Sequence, residues 1–347
     1  MEIYRPGYKF NVFLLGYIFN IYLAGIVAGN AAAQVEAARC RRDRGRARNE
    51  CSGICASGAA IRQAMMPRLW EIALTAAAWA VLPGATQSPI EIGKSYDIPS
   101  QALGEHRIVN VVLPSSYAKA PDRRYPVLYL IDGGIDQDLL HVAGVVQLGA
   151  MWGRSVEAIV VGIATEDRRK ELVGPTRDPE LLKRYPTAGA SARFRDFIRA
   201  EVKPLIERTY RTNGRSVVLG ESLAGLFVVE TYLTEPTLFD GYGAIDPSLW
   251  WDREALSLAA AGWIDKRQKS RPFFLAIAKE QLEEPAASQR LIAATRQQGL
   301  PLCDVQRPDL THATIYQQLT PEALQYLLPP AEPPAAAFGF DLQCSDQ

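Results

Sequence analysis

The chain has 347 residues, and its 38 basic and 38 acidic residues balance to a formal net charge of zero. This balance excludes the strongly basic or acidic character that would indicate a nucleic-acid partner or a highly charged ligand. Hydrophobic residues make up 48% of the sequence, which is enough for a large core, and the length allows one α/β domain of ordinary size with additional segments.

Two apolar segments near the N-terminus give conflicting targeting signals. Residues 10–29 are almost continuously apolar and long enough to span a bilayer, and the chain after the basic run 39–48 would then lie in the cytoplasm. A second start at Met65 or Met66, followed by an apolar stretch and small residues, is typical of a secretory signal peptide over 65–88.

We favour the second signal, because the Arg-, Cys- and Ala-rich residues 31–64 have neither clean periodicity nor a core. In this interpretation residues 1–64 are a non-functional extension, translation starts near Met65, and the protein is periplasmic or secreted. The alternative is that residues 10–29 are a genuine anchor, which would leave the protein membrane-anchored or cytoplasmic. A membrane is expected as a partner only in that alternative.

From about residue 89 short apolar runs alternate with amphipathic segments, which predicts a catalytic domain over 89–328. The apolar runs predict strands over 106–114, 126–131, 158–163, 216–219, 241–245, 272–278 and 301–305. Helical spacing predicts helices over 139–152, 192–210, 226–233 and 288–299. Strands alternating with helices indicate a mostly parallel central sheet flanked by helices on both faces. The Pro- and Ala-rich tail over 329–347 is expected to be extended or disordered.

The five cysteines do not predict a metal site. Cys51 and Cys55 have no matching second pair and no nearby histidine. Only Cys303 falls in the predicted catalytic domain, where we expect a small buried apolar residue.

Residues 220–224, Gly-Glu-Ser-Leu-Ala, lie between a predicted strand and a predicted helix. A strand, a tight turn with serine at its tip and a helix form a nucleophile elbow, which lifts the serine hydroxyl clear of the sheet in α/β-hydrolases. Small residues two before and two after the serine let the strand and the helix approach closely. The usual second glycine is Ala224 here, whose extra methyl group makes the match imperfect. We therefore predict that Ser222 is the nucleophile of an α/β-hydrolase fold.

A serine hydroxyl needs a base within hydrogen-bond reach and a third group that orients this base. In α/β-hydrolases the chain order is serine, acid, histidine, and His312 is the only histidine after Ser222. His106 is interpreted as a strand-surface residue. Glu280 directly follows the predicted strand 272–278 and is the preferred acid by position. The other carboxylates that we consider in this interval are Asp252, Glu283, Glu284, Asp304 and Asp309.

Two backbone N–H groups are needed to stabilise the negative charge that develops on the substrate oxygen. We predict that one belongs to Leu223, directly after the nucleophile. We assign the other to the turn Gly133–Gly134, where the absence of side chains lets the backbone approach the substrate. A plain tight turn would also explain the two glycines Gly133 and Gly134.

Four residues are candidates for the substrate pocket. Trp250 and Trp251 follow the strand after the elbow helix and form either a pocket wall or part of the core. His141 opens the helix after the glycine turn and lies either in the pocket or on the helix surface. Glu221 adjoins the nucleophile, and its carboxylate would disfavour anionic substrates by like-charge repulsion. The basic residues of the loop 165–189 either attract anionic esters or form a solvated surface.

Several stretches of the sequence resemble the putative-esterase family of the α/β-hydrolase superfamily, a group related to esterase D and to siderophore (enterobactin-type) esterases. They are Tyr125–Gly133, Ile159–Ile163, Tyr210–Asn213, Gly220–Phe227, Pro247–Asp252 and Thr311–Thr314. They occur in order over residues 95–328 and therefore cover the predicted domain. The family's elbow commonly has the sequence Gly-His-Ser-Leu-Gly-Gly, from which Glu221 and Ala224 depart.

The resemblance implies that Ser222 is the nucleophile and His312 the base. Glu280 keeps the register of the family's acid, although its neighbours Ala278 and Lys279 replace the usual Gly-Asn. The predicted function is a serine carboxylic-ester hydrolase that acts on a small-molecule ester, siderophore-like or other, without a metal or organic cofactor. The alternatives are acyl transfer by the same Ser–His machinery and a catalytically silent hydrolase fold that serves for binding.

Overall fold

The apolar runs of the sequence form the strands of one sheet in the computed structural model of the protein, which describes residues 87–345. The predicted extension over 1–64, with its candidate anchor, lies outside the described residues. The predicted signal peptide over 65–88 also lies outside them, apart from its last two residues. Within residues 87–345, no helix combines the length and the apolar character needed to cross a bilayer.

The described residues form alternating strands and helices. The strands are β1 (Lys94–Ser100), β2 (Glu105–Val112), β3 (Tyr125–Ile131), β4 (Ile159–Ile163), β5 (Thr212–Glu221), β6 (Gly241–Ile245), β7 (Phe273–Ala278) and β8 (Leu302–Arg307). The helices are α1 (Leu139–Met151), α2 (Arg168–Glu171), α3 (Pro179–Arg184), α4 (Ser191–Phe197), α5 (Lys203–Thr209), α6 (Leu223–Thr234), α7 (Trp251–Trp263), α8 (Lys279–Glu283), α9 (Ala286–Gln297) and α10 (His312–Leu327). A π-helical segment, Ile198–Val202, connects α4 to α5.

The sheet has the strand order β1-β2-β4-β3-β5-β6-β7-β8. β2 pairs antiparallel with β1 and with β4, and all other neighbouring strands pair parallel. The strands β3, β4, β6 and β7 are buried along their whole length, as expected for parallel strands covered on both faces. The predicted α/β-hydrolase fold with a mostly parallel central sheet is confirmed.

Successive side chains of the strands point to opposite faces of the sheet and enter two hydrophobic clusters. In β3, Tyr129 and Ile131 belong to the cluster that α4, α5, α6, α7 and α9 cover. Leu128 and Leu130 belong to the cluster that α1 and α10 cover. Because the parallel strands all run the same way, their carboxyl ends lie at one edge of the sheet, where the loops that follow them converge.

The sequence pattern does not predict β1, α7 or α10. β1 is an edge strand with exposed residues and a proline, Pro99, so it lacks the apolar run of a central strand. The expected loop around His312 is instead the first turn of α10. The helix starts with a capping box of Thr311 and Thr314, whose Thr-x-x-Thr spacing differs from the usual Thr-x-x-Glu signal. The loop 165–189 also contains two short helices, α2 and α3.

A disulfide bond joins the tail to the sheet. Cys344 is bonded to Cys303 of β8, so Cys303 is buried as expected but is not a free thiol. The described tail residues contain no helix or strand. Phe338 nevertheless stacks on Trp152 with ring centroids 5.5 Å apart. The tail, which includes a turn in which the Phe338 and Gly339 N–H groups donate to the Ala335 carbonyl, is therefore attached to the domain at both places.

Candidate active site

The predicted elbow forms at the end of β5. Ser222 has a φ angle of 58°, a left-handed conformation that is uncommon for a residue with a side chain. A Cβ atom on Gly220 would lie 2.7 Å from the Ala224 backbone, so only glycine fits before the turn. Ala224 is fully buried there, and its methyl group is accommodated. The Ser222 N–H group donates to the carbonyl of Ile245 at 3.1 Å, which ties the turn to β6.

The imidazole of His312 contacts the hydroxyl of Ser222. His312 is the first residue of α10, a helix that packs on the same face of the sheet as α1. Its Nε2 atom lies 3.1 Å from the Ser222 Oγ atom, which is hydrogen-bond distance. The Ser248 Oγ atom lies 3.3 Å from the same Ser222 oxygen. The two side chains that the chain order selects are thus in contact, across 90 residues of sequence.

The carboxylate that is hydrogen-bonded to the His312 ring is Asp246. Asp246 is not among the acids predicted from the sequence. Asp246 directly follows β6 and is 2% exposed, and its Oδ2 atom lies 2.5 Å from His312 Nδ1. Its Oδ1 atom accepts hydrogen bonds from the Ala278 N–H group at 2.8 Å and from the Gln281 side chain at 2.6 Å. Both oxygens are therefore bonded, as a buried carboxylate requires.

Glu280, the preferred acid of the sequence analysis, contacts the backbone of His312 instead of its ring. Its Oε2 atom accepts a hydrogen bond from the His312 N–H group at 3.0 Å. The physical reason is the strand order, because β6 lies next to β5 whereas β7 is one strand further from Ser222. A carboxylate directly after β6 is therefore better placed than one after β7. The available signal was the carboxylate that ends the apolar run 241–245.

The other carboxylates considered in the sequence have partners elsewhere. Asp304 is buried and bonded to Arg296 at 2.7 Å, and Asp309 is bonded to Arg307 at the same distance. Asp252 accepts a hydrogen bond from the Thr176 hydroxyl at 2.5 Å. Glu283 and Glu284 are exposed.

Three carboxylates act on the proton affinity of His312. The hydrogen bond to Asp246 raises the pKa of His312 above its usual 6.5, burial opposes this increase, and Glu221 and Glu280 add to it. The Glu221 Oε1 atom lies 3.5 Å from His312 Nε2. Burial raises the pKa of Glu221 to about 7, although the nearby His312 lowers it.

Of the predicted oxyanion donors, Leu223 lies beside Ser222, whereas the N–H groups of Gly133 and Gly134 already donate hydrogen bonds to other groups. Leu223 is the first residue of α6, where a backbone N–H group has no partner within the helix. The Gly133 N–H group donates to the Ile163 carbonyl at 2.8 Å, and the Gly134 N–H group donates to the Gln137 side chain at 2.9 Å. The turn is tight because a Cβ atom on Gly133 would lie 2.2 Å from the backbone of β4.

A cavity of about 330 Å³ opens above Ser222. Its walls are Arg168, Arg169, Tyr185, Ser222, Leu223, Asp246, Pro247, Ser248, Trp250, Trp251, Glu280, Gln281 and His312. Trp250 is 53% exposed, whereas Trp251 is buried and donates from its indole nitrogen to the Gly174 carbonyl at 3.3 Å. The two tryptophans thus line the cavity that contains the nucleophile.

His141 and Glu221 are not part of this cavity wall, in contrast to their predicted place. His141 lies on α1 and packs against Tyr316, with ring centroids 5.5 Å apart. The α1 helix faces α10, so this side chain is directed into the contact between the two helices. Glu221 contacts the active-site histidine rather than the open part of the cavity.

The sheet order, the elbow and the Ser222–His312 contact define the class of the α/β-hydrolases. The family model described as Putative esterase matches residues 100–289, and the chain belongs to this family. It is an ester-hydrolysing enzyme of the serine class.

The chain is similar to curated and structurally characterised proteins over most of its described residues. The "Ferri-bacillibactin esterase BesA" of Bacillus subtilis is 26% identical over 258 residues, which is 66% of this chain and 88% of the relative. An "IroE-like serine hydrolase" from Shewanella oneidensis is 27% identical, with a TM-score of 0.61, over 68% of this chain and 80% of that one. The "BES protein" from Bacillus cereus has 20% identity and a TM-score of 0.61 over 71% of this chain and 99% of its own, and this likeness concerns the fold.

The raised pKa of His312 has a consequence for stability. Because folding raises this pKa, protonated His312 stabilises the fold below pH 6.5, and the contribution is lost as the pH rises through the higher folded value. We expect Asp246→Asn to lower the pKa of His312 by about one unit or more, since the negative partner of the ring is removed. NMR titration of the imidazole protons measures the change, with His312→Gln to assign the signal.

His106 provides the internal reference for this titration, because it lies on β2 and contacts Asp97 instead of the active site. An unchanged His312 midpoint in the Asp246→Asn variant would contradict the contact with Asp246.

Proposed function

We propose that the protein is a serine carboxylic-ester hydrolase that works through an acyl-enzyme on Ser222, with His312 as general base and Asp246 as the acid that orients it. The observation that supports this proposal most directly is the continuous contact from Ser222 Oγ to His312 Nε2 at 3.1 Å and from His312 Nδ1 to Asp246 at 2.5 Å. This is the arrangement in which a serine, a histidine and a buried carboxylate act as one unit.

In the first half-reaction, Ser222 Oγ attacks the carbonyl carbon of the ester while its proton passes to His312 Nε2. The tetrahedral intermediate then collapses, the bond to the alcohol breaks, and Nε2 returns the proton to the leaving oxygen. In the second half-reaction a water molecule loses a proton to Nε2 and attacks the acyl carbon. The acid is released and the Ser222 hydroxyl is restored.

Asp246 contributes by fixing the ring and stabilising its charged form. Its bonds to Ala278 and Gln281 hold the carboxylate in place, so that it accepts from Nδ1 and leaves Nε2 free to act as the base. When Ser222 loses its proton, the imidazolium lies beside this negative charge. Glu280 has a positioning role in this scheme, because it holds the backbone at the start of α10.

The negative charge on the substrate oxygen requires donors next to Ser222. We assign one to the Leu223 N–H group. We assign the second to Arg168, a wall residue of the same cavity, in place of Gly133 and Gly134. Asp132 accepts from Arg168 Nε at 2.8 Å, which holds the guanidinium in place and leaves its two terminal nitrogens for a substrate oxygen.

The walls of the cavity favour an ester with a flat aromatic or apolar acyl group. Trp250 and Trp251 provide one wall, with ring centroids 5.9 Å apart. Tyr185 continues this aromatic wall, with its ring centroid 6.1 Å from that of Trp251, and the Arg169 guanidinium lies 4.8 Å from the centroid of the Tyr185 ring. Aromatic faces and guanidinium groups together suit an aromatic ring with polar or anionic substituents. This is consistent with the relatives named as siderophore esterases, and we propose siderophore-like aromatic esters as the substrates.

The first test compares four variants on p-nitrophenyl acetate and with a fluorophosphonate label. Ser222→Ala should abolish both hydrolysis and labelling, because the nucleophile is lost. Asp246→Asn should lower kcat by roughly 10²- to 10⁴-fold, since the ring loses its orientation and its charge partner. Glu280→Gln should lower kcat by less than about tenfold, because a neutral side chain can still accept from the His312 N–H group.

The fourth variant, Glu207→Gln, removes an exposed carboxylate on α5 and serves as the control. Labelling that persists in Ser222→Ala would contradict the acyl-enzyme. A loss in Glu280→Gln as large as that in Asp246→Asn would contradict the choice of acid.

The second test concerns the aromatic wall. Trp250→Ala should lower kcat/KM for ethyl 2,3-dihydroxybenzoate by about tenfold, because the acyl ring loses its stacking surface. It should affect ethyl butanoate by less than about threefold, since a short chain covers little of the ring. Trp263→Ala is the matched control, because Trp263 on α7 is also an exposed tryptophan, at 40% against 53% for Trp250, and lies outside the cavity. Equal losses on both esters would refute the proposed substrate class.

We also infer that the protein works outside the cytoplasm, in the periplasm or as a secreted enzyme. The Cys303–Cys344 disulfide supports this, because disulfides persist in oxidising compartments. Mass spectrometry of the native protein should find an N-terminus near residue 88 and, without reduction, a peptide linked through both cysteines. Peptides from residues 35–60 in the purified protein would contradict the inferred processing.

A further inference from the structure

The nitrogen of His312 that faces the nucleophile has a second neighbour. Glu221 is the last residue of β5, directly before Ser222, and its carboxylate is 19% exposed. Its Oε1 atom lies 3.5 Å from His312 Nε2, close to the 3.1 Å that separates the same nitrogen from Ser222 Oγ. With Asp246 at Nδ1, one imidazole therefore lies between two carboxylates.

The second carboxylate interacts differently with the two forms of the ring. When His312 is neutral and donates from Nδ1 to Asp246, its Nε2 presents a lone pair to Glu221, and no attraction results. When Nε2 takes the proton of Ser222, a positive N–H group faces the carboxylate at the short distance already present. Glu221 thus stabilises the state that follows proton transfer more than the resting state, which is the condition for faster chemistry.

The same attraction also acts in the free enzyme. A carboxylate near Nε2 holds a proton on the ring, and a protonated ring cannot accept the proton of Ser222. The enzyme then needs a higher pH before His312 acts as a base. A single contact accordingly increases the rate at high pH and decreases it at low pH.

We propose that Glu221 is a second electrostatic partner of His312 that increases the rate of ester hydrolysis above neutral pH and moves the working range of the enzyme to higher pH. This inference rests on the proposed Ser222–His312 mechanism and assigns Glu221 a function in it. Glu221 was expected in the substrate pocket, but it does not line the cavity at Ser222. The inference gives it a role at His312 instead.

Four other charged groups, which lie on or next to α1, α2, β6 and α8, are near Glu221 and His312. Arg168 on α2 is the positive neighbour of Glu221 besides His312, and Asp138 before α1 and Asp246 after β6 are negative. Glu280 on α8 faces His312 from the opposite side. Burial, Asp138 and Asp246 raise the pKa of Glu221 to about 7, whereas His312 and Arg168 oppose this increase.

The test is the pH profile of kcat/KM for Glu221→Gln on p-nitrophenyl acetate, a neutral ester that excludes repulsion between enzyme and substrate. The amide removes the charge with little change in shape. We expect the acidic midpoint of the profile to fall by about one pH unit. At the alkaline plateau we expect kcat/KM to fall roughly three- to tenfold, since up to one pKa unit of imidazolium stabilisation is lost. The two profiles should therefore cross.

Glu221→Asp keeps the charge but withdraws it by one methylene group, and its midpoint should lie between those of the wild type and Glu221→Gln. This smaller change also tests the inference if the amide variant folds poorly. Glu207→Gln is the charge-matched control and should reproduce the wild-type profile. NMR titration of His312 in each variant provides a second readout, with the same order of midpoints expected.

A Glu221→Gln profile that is lowered by one factor at every pH would overturn the inference, because a structural role alone produces that result. An unchanged profile would overturn it as well. These outcomes differ from a failure of the underlying mechanism, in which Ser222→Ala would retain hydrolysis and labelling.

Discussion

The hydrogen bond between Asp246 and His312 connects the end of β6 to the start of α10, and the candidate site is built around this connection. A carboxylate that is 2% exposed is stable only if its oxygens are bonded, and the Ala278 N–H group and the Gln281 side chain satisfy one of them. The other oxygen is left for the ring of His312. The end of β6, the end of β7 and the start of α10 are thus joined around a single buried charge, and the position of the imidazole follows from it.

The predicted residues that the structure brings into contact, Ser222 and His312, are those that a local pattern or the chain order selects. The small residue Gly220, the strand before Ser222 and the helix after it are local features, and the structure shows why glycine is required. His312 follows from order because no other histidine comes after the nucleophile. Asp246 could not be chosen in this way. Its position near His312 depends on β6 lying beside β5. Which strands are neighbours in a sheet cannot be read from the sequences of the strands themselves.

The glycine turn and the pocket wall were harder to predict for a related reason. Gly133 was expected to let the backbone approach the substrate, whereas its N–H group donates to the Ile163 carbonyl of a neighbouring strand and the space for a side chain is closed by β4. The cavity wall depends on the loop 165–189, which a buried ion pair holds to β2. Arg107 of β2 is fully buried against Glu171 of α2, and Glu171 also accepts from the N–H groups of Glu166 and Asp167. Glu105 also lies 3.3 Å from Arg107, but removing either member of the pair would break a buried ion pair, which is costly, so the pair helps to fix the loop that presents Arg168.

Three of the six non-glycine residues with positive φ in the described part of the chain lie at the edge of the sheet that carries the candidate site, and the other three, Asp252, Arg253 and Glu254, lie in the first turn of α7. β3, β5 and β6 are neighbours, and each is followed or ended by a non-glycine residue with positive φ: Asp132 at 59°, Ser222 at 58° and Asp246 at 43°. Such conformations cost of order 1–3 kcal/mol each and persist only where the surroundings over-determine them. Here the surroundings are the buried strands β3 and β6, the buried second half of β5, and the bonds of Asp132 to Thr165 and Arg168. Three adjacent strands therefore turn sharply at one level, which places the Ser222 hydroxyl, the buried Asp246 carboxylate and the Arg168 guanidinium around one cavity. The stability of the central sheet is what allows this edge to remain strained.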